Sequence, residues 1–147
     1  MKTVIVYYSK KNTKKVIDKI AETYEVDLIN AETVSEADLS GYDKICFASG
    51  IYNSSFHESV LHFAEKNLPE WKKVFFIYTS GFRKEGYTQS IHKICAKKKC
   101  RILGNCGALG ETNWWRIKYF GWNIKGQPDR GEIMKVMQFY GEMLEKE

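Results

Sequence analysis

The chain lacks an apolar run of the roughly 18 residues that a membrane-crossing helix needs, so no membrane insertion is expected. It also lacks the charged start, apolar stretch and small-residue cleavage site of a secretory leader, which predicts a cytoplasmic location. No GxxxxGK[ST] segment is present, which argues against a P-loop nucleotide hydrolase. None of the four cysteines, Cys46, Cys95, Cys100 and Cys106, belongs to a CxxC pair, and a reducing cytosol disfavours disulfides. His92 and Cys95 are close enough to share a ligand, but no second ligand pair completes a tetrahedron, so no metal site is predicted. Cys46 and Cys106 read instead as buried strand residues and Cys95 as part of a helix face, where cysteine behaves as a small hydrophobe. Zinc-finger spacing and a single basic helix are both missing, which argues against nucleic acid. Paired carboxylates and a nucleophile–base set are missing too. That pattern suits a protein whose chemistry comes from a bound group, with the chain supplying binding and electrostatics.

What is present fits one folded domain over residues 1–147. The composition is 44% apolar and 28% charged, with two prolines. The formal charge is +5, with basic clusters at Lys10-Lys11, Lys14-Lys15, Lys72-Lys73 and Lys97-Lys98-Lys99-Arg101. A positive field favours anionic partners. The same lysines also suit solvated turns and helix ends, with Lys97 to Lys99 at the negative end of a helix.

The periodicity alternates between strand and helix. Thr3 to Tyr8 is a near-continuous β-prone run, as a strand buried on both faces should be. From Asn12, residues Val16, Ile17, Ile20, Ala21 and Tyr24 share one helical face. Val26 to Ile29 is a short second strand, Asn30 to Gly41 a polar loop, and Lys44 to Ala48 a third strand. Ser49 to Phe56 reads as a polar and aromatic loop. Val60, Leu61, Ala64 and Leu68 mark a helix ended by Pro69. Val74 to Tyr78 is the fourth strand, stopping at Thr79-Ser80-Gly81, and Tyr87, Ile91, Ile94 and Cys95 mark the next helix. Arg101 to Leu103, extendable to Cys106, is the fifth strand, with Gly104 as its weak point. Gly107 to Arg130 is rich in glycine and aromatics, and Ile133, Val136, Met137, Tyr140 and Leu144 define a last amphipathic helix. Alternating buried strands and helices imply a doubly wound five-stranded parallel sheet with helices on both faces.

With strand order 2-1-3-4-5, the loops after strands one, three and four emerge together at the carboxyl edge, beside the switch point between strands one and three. The first, Ser9-Lys10-Lys11-Asn12-Thr13, joins a strand to a helix and offers hydroxyls, amides and a helix N-terminus to a phosphate. The second, Gly50-Ile51-Tyr52-Asn53-Ser54, offers an aromatic ring and hydrogen-bonding groups. The third, Thr79-Ser80-Gly81-Phe82, places a glycine where backbone can approach a flat ring, with another aromatic beside it. A planar heterocycle with a phosphate tail would use all three. His57, at the start of a helix, reads as a capping or solvent-exposed residue ahead of a proton donor.

On Tyr8 to Val16, Ser49-Gly50-Ile51-Tyr52, Phe56-His57, Tyr78 to Phe82 and Gly121 to Asp129, nearly the whole chain resembles the flavodoxin family. The resemblance implies a flavodoxin-like fold and non-covalent FMN. Ser9, Asn12 and Thr13 would hold the phosphate, with Lys10 and Lys11 in the same loop compensating by charge, and Gly50 to Ser54 and Thr79 to Phe82 the isoalloxazine. It implies an electron carrier or a small FMN-dependent oxidoreductase, whose partner is a redox protein or a small-molecule acceptor. The basic charge favours an acidic partner. The family's usual Ser/Thr-x-Thr-Gly-Asn-Thr loop is here one residue shorter and has Lys10-Lys11 in place of Thr-Gly. The alternative is therefore a flavodoxin-fold binding or regulatory module that has lost FMN.

Overall fold

The computed structural model describes residues 2–8, 12–110 and 130–147. Its elements in chain order are β1 (Thr3–Tyr8), α1 (Asn12–Thr23), β2 (Asp27–Asn30), β3 (Lys44–Tyr52), β4 (Ser55–Phe56), α2 (Glu58–Asn67), β5 (Lys73–Ser80), α3 (Gln89–Lys97), β6 (Arg101–Leu109) and α4 (Arg130–Glu145). The parallel strands lie in the order β2-β1-β3-β5-β6, and the two-residue β4 pairs antiparallel with the end of β3. Leaving β4 aside, this is the expected order 2-1-3-4-5.

Strand alternation sorts the core onto two faces. Val4, Val6, Ile45, Phe47, Val74 and Phe76 face Val60, Phe63 and Ala64 of α2 and Ile91 and Cys95 of α3. Ile5, Tyr7, Cys46, Ala48, Phe75 and Ile77 face Val16, Ile17 and Ile20 of α1 and Val136, Tyr140 and Met143 of α4. Because both faces are covered, β1 is buried along its whole length, which explains its unbroken apolar run.

Three expectations need correction. The third strand does not stop at Ala48: β3 continues to Tyr52 and turns through Asn53 and Ser54 into β4, so part of the expected loop is a hairpin. Asn53 and Ser54 have φ of 51° and 62°, the left-handed pair that a two-residue hairpin turn requires. Neither is glycine, so the turn carries no strong sequence signal. The fourth strand runs through Thr79 to Ser80, two residues beyond its expected end. The fifth extends to Leu109, because a bulge accommodates Gly104: Val74 pairs with Ile102 and Phe75 with Gly104, leaving Leu103 as the extra residue. A Cβ on Gly104 would lie 3.3 Å from both Met143 Sδ and the Phe139 ring, so the glycine lets α4 sit directly on the strand.

Cys46 and Cys95 are buried as expected, whereas Cys106, on the edge strand β6, is only half-buried. Burial pushes the Cys46 thiol well above the ordinary thiol range and the Cys95 thiol up to about 12, so both are inert hydrophobes.

The lysine-rich turns have structural partners. Lys44, 3% exposed at the start of β3, donates from Nζ to the carbonyls of Met143, Leu144 and Lys146 at 2.6–2.7 Å, capping the C-terminus of α4. Lys98 caps a helix too, but α2 and not its own α3: its Nζ reaches Ala64, Glu65 and Leu68 carbonyls at 2.6–2.9 Å. Lys72 donates to the carbonyls of Ser40 and Tyr42.

Candidate functional site

In a parallel sheet every strand delivers its last residue to the same edge. Here the register brings Tyr8 beside Ser49, Gly50 beside Thr79, and Ser80 beside Leu109. Ser9, Lys10 and Lys11 lie outside the described residues, as does the aromatic segment 111–129. The described part of the first loop is the opening of α1, whose first turn holds no acidic residue, so the helix's positive dipole end is not neutralised from within.

Asn12 and Thr13, both in that first turn, tie the helix across the top of the sheet. The Thr13 and Thr79 hydroxyls share a hydrogen bond of 2.7 Å, and both residues are buried. Asn12 packs against Gly110, where a Cβ would fall 2.5 Å from Asn12 Nδ2. Gly110 N–H donates to the Ser80 carbonyl at 2.8 Å, so the ends of β5 and β6 meet under the start of α1. The Thr13–Thr79 and Asn12–Gly110 contacts link residues 66 or more apart in sequence, and the first of them joins the first expected loop to the third.

The second loop is organised around aromatic rings. Tyr52, 39% exposed at the end of β3, stacks on Tyr8 at a centroid distance of 5.6 Å and lies across Gly50, where a Cβ would meet the ring at 3.3 Å. Gly50 thus lets the Tyr52 ring lie close against the backbone. His57 completes a three-ring cluster, 3.6 Å from Tyr8 and 5.0 Å from Tyr52. It also caps α2: its Nδ1 accepts the Ser59 N–H at 3.1 Å, the capping role read from the sequence. Burial, then the neighbouring Tyr8 and Glu32, raises the pKa of Tyr52 and keeps its phenol neutral. Ile51 is half-buried against the α2-face core, and Asn53 and Ser54 are exposed at the hairpin tip. Phe56 is 2% exposed and packs edge-on against Phe76, so it belongs to the core.

In the third loop the Ser80 hydroxyl donates to the Phe82 carbonyl, closing the turn, and Phe82 is 53% exposed. Two exposed aromatics, Tyr52 and Phe82, therefore stand on different loops of one edge. A cleft of about 470 Å³ lies alongside β6, lined by Tyr78, Ser80, Arg83, Cys106, Gly107 and Lys135. It shares only Ser80 with the predicted cofactor residues, so this cleft is not the switch point.

Sequence reasoning missed three residues here. Buried Ser49 accepts the His57 N–H at 2.9 Å and donates to the Gly50 carbonyl, fixing the hairpin to α2. Tyr8 is the ring on which Tyr52 rests. Glu132, in the first turn of α4, accepts from Leu109 N–H at 2.8 Å and from the Arg83 guanidinium, joining the third loop to the end of β6. Glu132 had one visible signal, an acid at a helix N-terminus. Tyr8 and Ser49 lie in the stretches that carry the family resemblance, but nothing in the sequence marked their individual contacts.

A family model described as a flavodoxin domain matches residues 4–107, and the chain belongs to the flavodoxin domain family. It is 33% identical over 143 residues to an uncharacterized protein of Methanocaldococcus jannaschii, covering 95% of each chain. Among solved structures it is similar to a flavodoxin from the domain Archaea, at a TM-score of 0.71 and 15% identity, with 99% of this chain and 97% of that one covered. A Fusobacterium nucleatum flavodoxin bound to flavin mononucleotide matches at a TM-score of 0.55 and 19% identity over 70% of each chain.

Proposed function

We propose that the chain binds FMN non-covalently at the carboxyl edge and transfers electrons through it. The observation that carries this reading is the Thr13–Thr79 hydroxyl bond, which locks the start of α1 to the end of β5 beside the exposed Tyr52 and Phe82 rings. Family membership and the FMN found in the Fusobacterium nucleatum flavodoxin support it.

The residues fit such a group. The unneutralised N-terminus of α1, with Asn12 and Thr13 in its first turn, suits a phosphate. Ser9, Lys10 and Lys11 precede it in sequence and would complete the cradle, two lysines replacing the tight glycine turn with charge. Tyr52 and Phe82 would flank the ring, and backbone groups of Gly50, Asn53, Ser54, Ser80 and Gly81 would meet its polar edge. Bound FMN supplies the electron-transfer chemistry. The chain orients the ring, excludes water from its buried side and sets the surrounding charge.

The absorbance spectrum of the purified protein, before and after excess FMN and desalting, tests this. Retained flavin bands that are released as free FMN on denaturation are expected. A protein that stays colourless under both conditions overturns the reading in favour of a binding module without flavin.

A further inference from the structure

The corner at the opposite edge, at the amino ends of β5 and β6, places bulky side chains where the backbone suits glycine. Trp71, in the turn before β5, is 71% exposed and has a φ of 68°. Lys99, in the turn before β6, has a φ of 60°. It ends α3 with the paired bonds of a Schellman turn, Lys99 N–H to the Ala96 carbonyl and Cys100 N–H to the Cys95 carbonyl, both 3.0 Å. Glycine suits both positions best, and a bulky side chain in the left-handed region is a true outlier. The two side chains meet, with Lys99 Nζ 5.3 Å from the centre of the Trp71 ring, and Trp71 N–H donates to the Lys98 carbonyl.

Two further cations lie at the same corner. Lys73 and Arg101 are directly paired residues on neighbouring strands, a like-charge juxtaposition that costs stability. Asp43 and Glu70 are acidic neighbours in the adjoining turns, and Glu145 and Glu147 lie beside Lys73 from the end of α4; against Lys44, Lys72, Lys73, Lys98, Lys99, Arg101 and Lys146 they leave the corner net positive. One exposed indole surrounded by lysines is a poor protein-binding patch. Interface cores are depleted of lysine and need several buried anchors over a broad area. A bilayer surface needs only what is here: cations for anionic headgroups and a tryptophan at headgroup depth.

We infer that the Trp71–Lys99–Lys73–Arg101 corner is a peripheral docking surface for anionic lipid headgroups. No helix among the described residues is long and apolar enough to cross a membrane, so contact is at the surface. Docking here turns the opposite, carboxyl edge away from the bilayer and leaves it open to a partner.

Cosedimentation with vesicles tests the inference and does not depend on flavin. Binding to mixed phosphatidylglycerol–phosphatidylcholine vesicles at low salt, its loss at high salt, and no binding to phosphatidylcholine alone are expected. Trp71→Gly should lower partitioning about tenfold while leaving the melting temperature unchanged or raised, because glycine adopts the left-handed turn freely. A purely structural tryptophan would give the opposite pattern. The double variant Lys73→Glu, Arg101→Glu should abolish binding. Absence of binding to the anionic vesicles, full binding by Trp71→Gly, or binding of poly-L-glutamate with vesicles ignored would each overturn it, the last in favour of an acidic protein partner.

Discussion

The two ends of the sheet are built from different chemistry. At the amino edge, ammonium groups do structural work: Lys44 and Lys98 each gather three carbonyls at a helix C-terminus, and Lys72 gathers two in a turn. At the carboxyl edge, hydroxyls and rings do it: Thr13 on Thr79, Ser49 under the hairpin, Tyr52 across Gly50. Parallel strands make this division natural, since every helix presents its negative dipole end to one edge and its positive end to the other. A net charge of +5 therefore says little about the carboxyl edge, because Lys44, Lys72 and Lys98 are committed to carbonyls at the opposite edge.

The largest expected effect lies at the amino edge. Lys44→Met removes a buried cation and leaves three carbonyls without their donor, so unfolding free energy should fall by about 3 kcal/mol in a urea titration. Flavin affinity of the folded fraction should be unchanged. A coupled loss of affinity would break the division between the two ends.

At the carboxyl edge, Thr13→Val strands the buried Thr79 hydroxyl and should cost about 1–2 kcal/mol. Thr79→Val should cost a similar amount, and the double variant should cost less than the sum, because no orphan remains. Flavin affinity should fall with Thr13→Val and stay low in the double variant. Recovery of both stability and affinity would reduce the pair to a packing detail.

Tyr52→Ala and Phe82→Ala should each weaken FMN binding about five- to tenfold with stability nearly unchanged, read by quenching of flavin fluorescence. An effect of Tyr52→Ala alone would mean that Phe82 is not a flanking ring.

Sequence legibility followed the same geography. Buried strands and amphipathic helices were readable because burial on two faces writes continuous apolar runs, as in β1 and β5. The three loops converging at the carboxyl edge followed from strand order. What stayed hidden were pairings across long separations. The Lys44 cap reaches 99 residues or more along the chain, and the Thr13–Thr79 bond spans 66. The Asn53-Ser54 hairpin was concealed because both residues take left-handed φ without glycine. The extent of β6 was concealed because its bulge makes Gly104 look like a strand breaker.

The smallest effect is alkaline. The Tyr42 hydroxyl donates to Asp27 Oδ2 at 2.6 Å, and this bond, with burial and the carboxylate's charge, raises its pKa from 10.0 to about 12. A raised folded-state value means that its contribution is complete below pH 10 and is lost as pH climbs towards 12. Thermal melts of the wild type should lose stability across that window more steeply than those of Tyr42→Phe. Parallel curves would mean that the bond is too exposed to count.

The most direct test of the division between the two ends is an amide NMR titration of the protein with FMN. Shifts clustered at Asn12, Thr13, Gly50 to Ser54 and Thr79 to Phe82, with Lys44, Lys73, Lys98 and Arg101 unmoved, are the predicted result. Shifts centred on the amino edge or on the cleft beside β6, or none at saturating FMN, would contradict the account.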